Sequence, residues 1–487
     1  MLIWPKLRVV GPIAIVTVAV SVGLPLWMFW PGSGPSLDES AQRLRDAGLF
    51  TDAAELAEAI RLPDDADNAA APFVAAFELL PVRDDQTFAG LLSSLEEAPA
   101  WRSGEPLAKL DADELVAAIE RSRLEQSEVD GNRRAALAEL DINVPKMFVE
   151  GPVSVDPDEL SPAEQWALVR VGLAEVSDAL AVAGTAADQR WPVMASFGVD
   201  PLAADCFGEV PTPHLNHSRL LSTYLQHSAH CAAVDGRLIE AAQSLQALLS
   251  LYDALAAANI SLVEGLVHDR IRVMSMKALY RVLRDAPPDG WADPKATASL
   301  KTLGDRLADE RPLLASSSNA LRGEPVMHFQ LFAKMATVRA LDGSALNPKR
   351  EAEFAAQVLL EMLSCVESRS LQAAIGVVDP DDASRSIEQE SLLFGGMMFS
   401  SLDRVLQSRA AALSTHRMAR IAIALTLFHQ QHGHYPSELE ALVPEYLDAV
   451  PLDPLNNAEP FGYDASAGKL TSPAGERWDE IVWDLPQ

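Results

Sequence analysis

The segment that most constrains the fold lies near the C-terminus, where an apolar helix runs directly into turns and strands. Residues 421–428 (IAIALTLF) are apolar on nearly every side of a helix. A helix without a polar face is stable only when other elements cover it. Gly433 then supplies the residue type that often ends a helix in a left-handed conformation. We therefore predict a buried helix from about residue 402 to residue 431.

The stretch after this helix predicts a small α+β arrangement. Residues 437–440 (SELE) match a capping box for a short helix, and Pro444 blocks the continuation of that helix. Two prolines hold residues 450–454 extended. Strand patterns follow at residues 461–464, 469–472 and 481–483, with a four-residue hairpin loop at residues 465–468.

The module also carries a distinctive order of residues after its helix. They are Gly433-His434-Tyr435-Pro436, Leu439, Leu442-Val443-Pro444, Tyr446-Leu447, Pro451, Asp453-Pro454, Pro460 and Tyr463. This order resembles the globular part of the major type II secretion pseudopilin. It is still more similar to the C-terminal segment of a family of large, uncharacterised bacterial membrane-anchored helical proteins. Residues 238–283 and 320–324 are similar to that family as well. The resemblance implies a pseudopilin-like fold for the module and a place in the cell envelope, where a secretion-system protein could be a partner.

The chain differs from pseudopilins in ways that bear on assembly. Pseudopilins have a prepilin-peptidase site and a glutamate just inside an N-terminal apolar helix, and this N-terminus has neither. They also bind calcium in an acidic loop before the final strand. Here that loop is reduced to residues 473–480, in which Asp479 and Glu480 could give oxygen ligands to calcium. The alternative is a solvated acidic turn.

The N-terminus predicts a membrane anchor. Residues 9–30 contain no charged side chain, and about 20 apolar residues suffice to span a bilayer. Lys6 and Arg8 precede the span, whereas Asp38 and Glu39 are the first charges after it. The positive-inside rule then predicts a single-pass protein of the bacterial inner membrane, with a cytoplasmic N-terminus and an exported C-terminal bulk. A cleaved signal peptide is the alternative, although no A-x-A-like site follows the span.

Composition limits the partners. With 39 basic and 69 acidic residues the net charge is −30, which repels phosphate backbones, so nucleic acid is not expected as a partner. Three cysteines are too few for a disulfide framework.

The sequence pattern between the anchor and the module predicts a mainly helical region. Apolar residues recur at three- and four-residue steps through residues 236–259 and 262–283, and residues 261–264 (SLVE) form a capping box between the two segments. Two helices with a short connection predict an αα-hairpin. Pro-rich breaks, such as residues 69–73 (AAAPF), are predicted to be loops. No fixed-period repeat supports a true array.

The predicted fold class is therefore mainly α: an irregular helical-hairpin (TPR-like) body after one transmembrane helix, with a small C-terminal α+β module. The predicted segments are residues 1–8 (cytoplasmic), 9–30 (transmembrane), 31–150 (N-terminal helical region), 151–400 (central helical-hairpin domain) and 401–487 (pseudopilin-like module).

Histidines and cysteines crowd into residues 206–268 and suggest a zinc site. The candidate ligands are His214, His217, His227, His230 and Cys231. Imidazole and thiolate are the usual zinc ligands, and His227 and Cys231 would share one helical face. A predicted helix separates the two groups, so a site would require a fold-back of the chain or a ligand such as His268. The alternative is that these side chains pack or cap helices.

No standard catalytic signature occurs in the sequence. We therefore expect a membrane-anchored envelope protein of structural or interaction type, a scaffold or adaptor without inferred catalysis. Two alternatives remain: a metal-dependent envelope hydrolase that uses residues 214–231, and a calcium-stabilised binding module.

Overall fold

The computed structural model describes residues 36–63, 66–80, 166, 169–170, 172–174, 176–202, 212–287, 289–342, 348–367, 393–456, 458–473 and 480–485. These residues are mainly α-helical, which confirms the predicted fold class at that level. The predicted cytoplasmic segment, membrane span and boundary near residue 150 lie outside the described residues. Among the residues that are described, no helix is both long and apolar enough to cross a bilayer.

Within the described ranges, eleven α-helices follow one another along the chain. They are α1 (Leu37–Asp46), α2 (Ala53–Ala59), α3 (Ala71–Leu79), α4 (Ser177–Gly184), α5 (Pro213–Val234), α6 (Leu238–Ala258), α7 (Leu262–Asp285), α8 (Pro294–Leu307), α9 (Arg311–Asp342), α10 (Pro348–Glu367) and α11 (Leu393–His432). Short 3-10 helices occur at Gly290–Ala292 and Leu439–Leu442.

Helix α6 lies at the centre of the body. It packs against α4, α5, α7, α8 and α9, and most of its side chains are buried. The predicted hairpin is confirmed, because α6 and α7 pack together across a three-residue connection. The sequence showed one apolar face on α6, but alanine and leucine around the rest of its surface let neighbours cover it on all sides.

The predicted capping box at the start of α7 forms only in part. Ser261 caps α7 by accepting a hydrogen bond from the Glu264 amide at 3.2 Å. The Glu264 carboxylate, however, accepts from the amide of Ile260 rather than that of Ser261. The predicted break at residues 69–73 is wrong, because α3 begins inside it with Pro72 in the first turn, where its missing N–H costs nothing.

Helix α11 is longer than predicted, because it begins at Leu393. It passes without interruption through residue 400, where the sequence suggested a boundary between domains. It ends as predicted: Gly433 has φ +72°, and its amide donates to the carbonyl of His429 at 2.7 Å.

The C-terminal strands form two small sheets. Strands β1 (Leu452–Asp453) and β2 (Glu459–Pro460) pair antiparallel. Strands β3 (Gly462–Asp464), β4 (Lys469–Ser472) and β5 (Ile481–Asp484) form an antiparallel sheet in the order β3-β4-β5. Asp464 pairs with Lys469, so the predicted four-residue hairpin loop is confirmed.

The predicted capping box at residues 437–440 does not form. Glu438 takes the N-cap position with an extended backbone, and no side chain caps the 3-10 helix Leu439–Leu442. The extended residue moves the helix start beyond Ser437, so the serine hydroxyl is not at the N-cap position.

One hydrophobic cluster joins the body to this module. It contains Leu279 of α7, Leu303 of α8 and Ile423 of α11, together with Leu442 and Trp483 from the segments after α11. The C-terminal half of α11 therefore packs against both the body and the sheet.

Candidate functional site

The five predicted zinc ligands all lie on α5, which is one uninterrupted helix from Pro213 to Val234. The ten residues from His217 to His227 separate the two groups by about 15 Å at 1.5 Å per residue. The helix between them was predicted correctly. The chain does not fold back, so the two groups remain apart.

Each group packs against different neighbours. The rings of His214 and Phe197 stack with centroids 5.2 Å apart, and those of His217 and Phe77 stack at 5.5 Å. At the other end, His230 Nε2 lies 2.7 Å from Asp285 Oδ2. Packing and hydrogen bonding thus account for these three imidazoles.

His227 and Cys231 are both buried. Burial raises the pKa of the Cys231 thiol to about 12, so the thiol stays protonated near neutral pH. Within the described ranges, no three His, Cys, Asp or Glu side chains converge closely enough to hold a metal. Glu480 is exposed, and Asp479 lies outside the described residues, so the calcium site stays a prediction.

The structure instead places His214 beside a buried cluster of carboxylates and imidazoles at the start of α7. His214 Nε2 lies 3.8 Å from Glu264 Oε1, and His328 Nε2 lies 3.2 Å from Glu324 Oε1. The other oxygen of each carboxylate accepts a backbone hydrogen bond, from Ile260 at 2.8 Å to Glu264 and from Leu262 at 2.9 Å to Glu324. We call Glu264 and Glu324 the carboxylate pair.

The position of the pair explains why two carboxylates tolerate each other in the interior. The first amides of a helix lack intrahelical partners, and the helix dipole favours negative charge there. Glu264 and Glu324 are only 2% and 4% exposed, so each amide hydrogen bond replaces solvent. The pair therefore caps α7 from two helices at once.

Burial shifts the pKa values of Glu264 and His214 in opposite directions. Burial, opposed by the hydrogen bond from Ile260 and assisted by nearby Glu324, raises the pKa of Glu264 to about 7. Burial, with a smaller contribution from His217, lowers the pKa of His214 to about 4. Near neutral pH a neutral imidazole thus faces a carboxyl group that can carry or release a proton.

His268, which the sequence offered as one further ligand for a site on α5, interacts electrostatically with His214. It is 1% exposed, and in the described residues neither ring nitrogen has a hydrogen-bond partner. Burial, then His214 and Arg409, lowers its pKa well below the usual range. Both carboxylates of the cluster accept backbone amide hydrogen bonds at the start of α7, a geometry that fits helix capping.

Sequence reasoning missed the carboxylate pair, although a signal was present. Glu264 and His268 are four residues apart on α7, and Glu324 and His328 have the same spacing on α9. Residues four apart share a helix face. In a chain with 69 acidic residues, that spacing did not stand out.

Close packing fixes the place of the carboxylate pair. A Cβ atom on Gly323 would lie 2.0 Å from the carbonyl oxygen of Ile260. Asn259 Nδ2 also donates to the Ser316 carbonyl at 2.8 Å. The two regions that resemble the membrane-anchored family, residues 238–283 and 320–324, therefore meet at the connection between α6 and α7.

The residues that resemble pseudopilins hold the module together. Asp453 is fully buried; its Oδ1 accepts from Ser414 at 2.8 Å and its Oδ2 from Ser472 at 2.6 Å. The hydroxyl of Tyr463 donates to the Pro436 carbonyl at 2.8 Å. These contacts link α11, β1, β3, β4 and the turn after Gly433.

An open groove of about 550 Å³ lies between α8, α11 and residues 444–448. Arg420 NH2 reaches Asp448 Oδ2 at 3.2 Å across it, and Lys301 and Glu445 also line it. Both signs of charge are present, so the groove itself does not select an acidic or a basic partner.

Comparisons of the chain with protein-family models, curated proteins and solved structures found no match. The resemblance to pseudopilins and to the membrane-anchored family therefore rests on the residues quoted above.

Proposed function

We propose that this chain is a single-pass inner-membrane protein whose exported part is a scaffold or adaptor in the bacterial cell envelope. Residues 9–30 would anchor it, the helical hairpins would form a TPR-like body, and the C-terminal module, pseudopilin-like in fold, would contact an envelope or secretion-system partner. No catalytic step is part of this proposal.

The observation that carries the proposal is the burial of α11 inside its own chain. Met418, Ile421 and Leu425 on this helix are fully buried. A pseudopilin uses its long apolar helix as a continuous spine for assembly. Here the equivalent helix is covered by α7 and α8, which favours a fixed, monomeric display of the module over polymerisation.

Specific contacts from the body to the sheet add to this burial. The rings of Tyr280 and Trp483 stack with centroids 5.0 Å apart, and the amide of Asp484 donates to the Tyr280 hydroxyl at 2.9 Å. On the other side, the Arg417 guanidinium on α11 makes two bonds to Glu310, at 2.7 and 2.8 Å, and donates to the carbonyl of Leu452 on β1 at 2.9 Å. A module held at both edges has a set orientation, as a scaffold requires.

The two alternative functions gain no support from particular contacts. The zinc hydrolase requires ligands to converge on α5, and the calcium module requires Asp479, whose position is not described. We therefore propose neither.

Photo-cross-linking in membranes tests the interaction role. Leu452 and Val482 are apolar side chains of the module that are 44% and 39% exposed, and Val263 on the body is a matched control at 40%. A photoreactive residue at either module position should give a discrete cross-linked product with one envelope protein, and the control position should not. Identical patterns from all three positions would contradict a module-specific partner.

A reporter fusion tests the anchor and its orientation. A phosphatase that is active only outside the cytoplasm, fused after residue 40, should be active, and deletion of residues 9–30 should abolish that activity. Activity of a cytoplasm-specific reporter at the same position would refute the proposed topology.

A further inference from the structure

Two histidines lie side by side on the surface of the molecule, where α11 ends. His432 is the last residue of the helix, and His434 follows Gly433. Gly433 takes the left-handed backbone conformation, with φ +72°, so the chain turns sharply between the two histidines. The centres of the two imidazole rings are 6.2 Å apart, and both side chains are exposed.

One aromatic ring packs against both histidines. The ring of Phe428, one turn earlier on α11, lies 4.2 Å from the ring of His432 and 5.9 Å from the ring of His434, centre to centre. Tyr446 packs against the same phenyl ring at 5.8 Å. The phenyl ring therefore limits the movement of two imidazoles that are otherwise open to solvent.

A hydrogen bond fixes which ring nitrogen of His434 carries the proton. Its Nδ1 lies 2.9 Å from the carbonyl oxygen of Tyr435. A carbonyl oxygen only accepts, so Nδ1 donates, and in the neutral imidazole the lone pair is on Nε2. Metal-binding histidines commonly have this arrangement, in which a backbone carbonyl orients the ring through the nitrogen that does not bind the ion.

The spacing of the two rings suits one shared metal ion. At metal–nitrogen distances of about 2.0–2.1 Å, two imidazoles on one ion have their centres about 4.5–6 Å apart. The observed separation is slightly larger, and a small rotation of either exposed ring removes the difference. In the part of the chain that the structure describes, no third His, Cys, Asp or Glu side chain joins the pair. His429, on the same helix, packs on Tyr435 instead, with ring centres 4.6 Å apart.

We propose that His432 and His434 together bind a copper(II) ion. Among the divalent first-row metals, Cu²⁺ binds a given nitrogen site most tightly, and its tetragonal geometry leaves the positions beyond two imidazoles to water. Zinc sites in proteins have three or four protein ligands, one or two more than this pair supplies. The site is independent of the proposed envelope partner, and no redox step is involved.

The test is calorimetric titration of the untagged full-length protein in detergent with Cu²⁺, in the presence of glycine. Glycine competes as a weak chelator and suppresses binding to scattered carboxylates, which are many in a chain of net charge −30. We expect one equivalent of Cu²⁺ to bind, and pulsed electron paramagnetic resonance should detect two coordinated imidazoles. Zn²⁺ should bind at least about tenfold more weakly. No saturable binding of Cu²⁺, or tighter binding of Zn²⁺, would overturn the proposal.

Single substitutions assign the ion to this pair. His432→Ala and His434→Ala should each weaken Cu²⁺ binding at least about tenfold and leave one imidazole in the spectrum, because loss of a ligand costs no less than loss of a group that orients it. Both positions are exposed, so the midpoint of metal-free unfolding should not change.

His429→Ala is the matched control. It removes an imidazole from the same last turn of α11, but one that packs on Tyr435 and lies outside the pair. This variant should bind Cu²⁺ like the unaltered protein. An equal loss of affinity in all three variants, or unchanged affinity in His434→Ala, would overturn the proposal.

Discussion

Two residues near the start of α7, Glu264 on α7 itself and Gly323 on α9, show how much stability depends on single positions. Gly323 allows α9 to cross the connection between α6 and α7 at backbone contact, and Glu264 caps α7 from within the interior. Each makes a contact that depends on its exact size or charge, so each gives a sharp prediction.

Replacement of Gly323 by alanine should destabilise the protein by at least about 3 kcal/mol, because the added methyl group meets a backbone oxygen that cannot move aside easily. Gly184→Ala is the matched control: it ends α4, and a Cβ there meets nothing within 4 Å. The control should leave the midpoint of denaturant unfolding unchanged or slightly higher. Equal midpoints for the two variants would contradict the close crossing.

Glu264 should make stability fall as pH rises through the neutral range. Its folded pKa is about 7, against 4.5 for an ordinary glutamate, so between these values the folded state holds a proton that the unfolded chain has released. Stability from this group is present below pH 4.5 and is lost as pH rises through 7.

Glu264→Gln removes this dependence. Relative to the unaltered protein, the variant should gain up to ~3 kcal/mol of unfolding free energy between pH 4 and pH 8. Glu78→Gln, at an exposed position, is the control for the general effect of removing one carboxylate. A pH-independent difference for Glu264→Gln would show that its carboxyl group does not titrate in this window.

At the scale of elements, the C-terminal strands depend on α11 through a buried carboxylate. Strands of two to four residues are not stable in isolation. Asp453 connects β1 to α11 and β4 through two hydrogen bonds, from Ser414 and Ser472, and it accepts a third from the amide of Leu455. The strands of the module therefore depend on α11 for their stability.

Asp453→Ala should lower the free energy of unfolding by about 2–4 kcal/mol, because it leaves buried hydroxyl and amide donors without acceptors. Asp464→Ala is a matched control, since Asp464 also accepts three hydrogen bonds, from the amide and hydroxyl of Ser466 and the amide of Ala467, but in an exposed loop. Water can replace those bonds, so the control should change thermal stability far less. A similar loss in both variants would refute the role of burial.

At the scale of the whole molecule, body and module should unfold together. The cluster that contains Leu279, Ile423 and Trp483 belongs to neither part alone. A fragment of residues 401–487 exposes the face of α11 that α7 and α8 cover, and we expect it to show no cooperative thermal transition. In the full chain, Trp483 should stay buried until the main unfolding transition, and tryptophan fluorescence is the measurement that checks this. A fragment with its own sharp transition and dispersed amide spectrum would show that the module folds independently.

The sequence could predict the parts of the fold that depend on near neighbours. Gly433, Ser261 and the 465–468 loop set local ends and turns through their own backbone and side-chain chemistry, and the structure has each of them in place. The candidate site was predicted only in part. His214 stood out because histidines and cysteines crowd into residues 206–268, whereas Glu264 and Glu324 are two acids among many.

What the sequence by itself determined is therefore the helical class, the hairpin of α6 and α7, the end of α11 and the order of the C-terminal strands. Periodicity and capping act over a few residues, and they are readable without a partner. Only the tertiary structure decided that α6 is enclosed, that α11 belongs to body and module alike, and that His214 faces Glu264 while His230 faces Asp285. These contacts depend on which helices, distant in sequence, pack together. The packing buries the ionisable side chains between the helices, and that burial sets their charge.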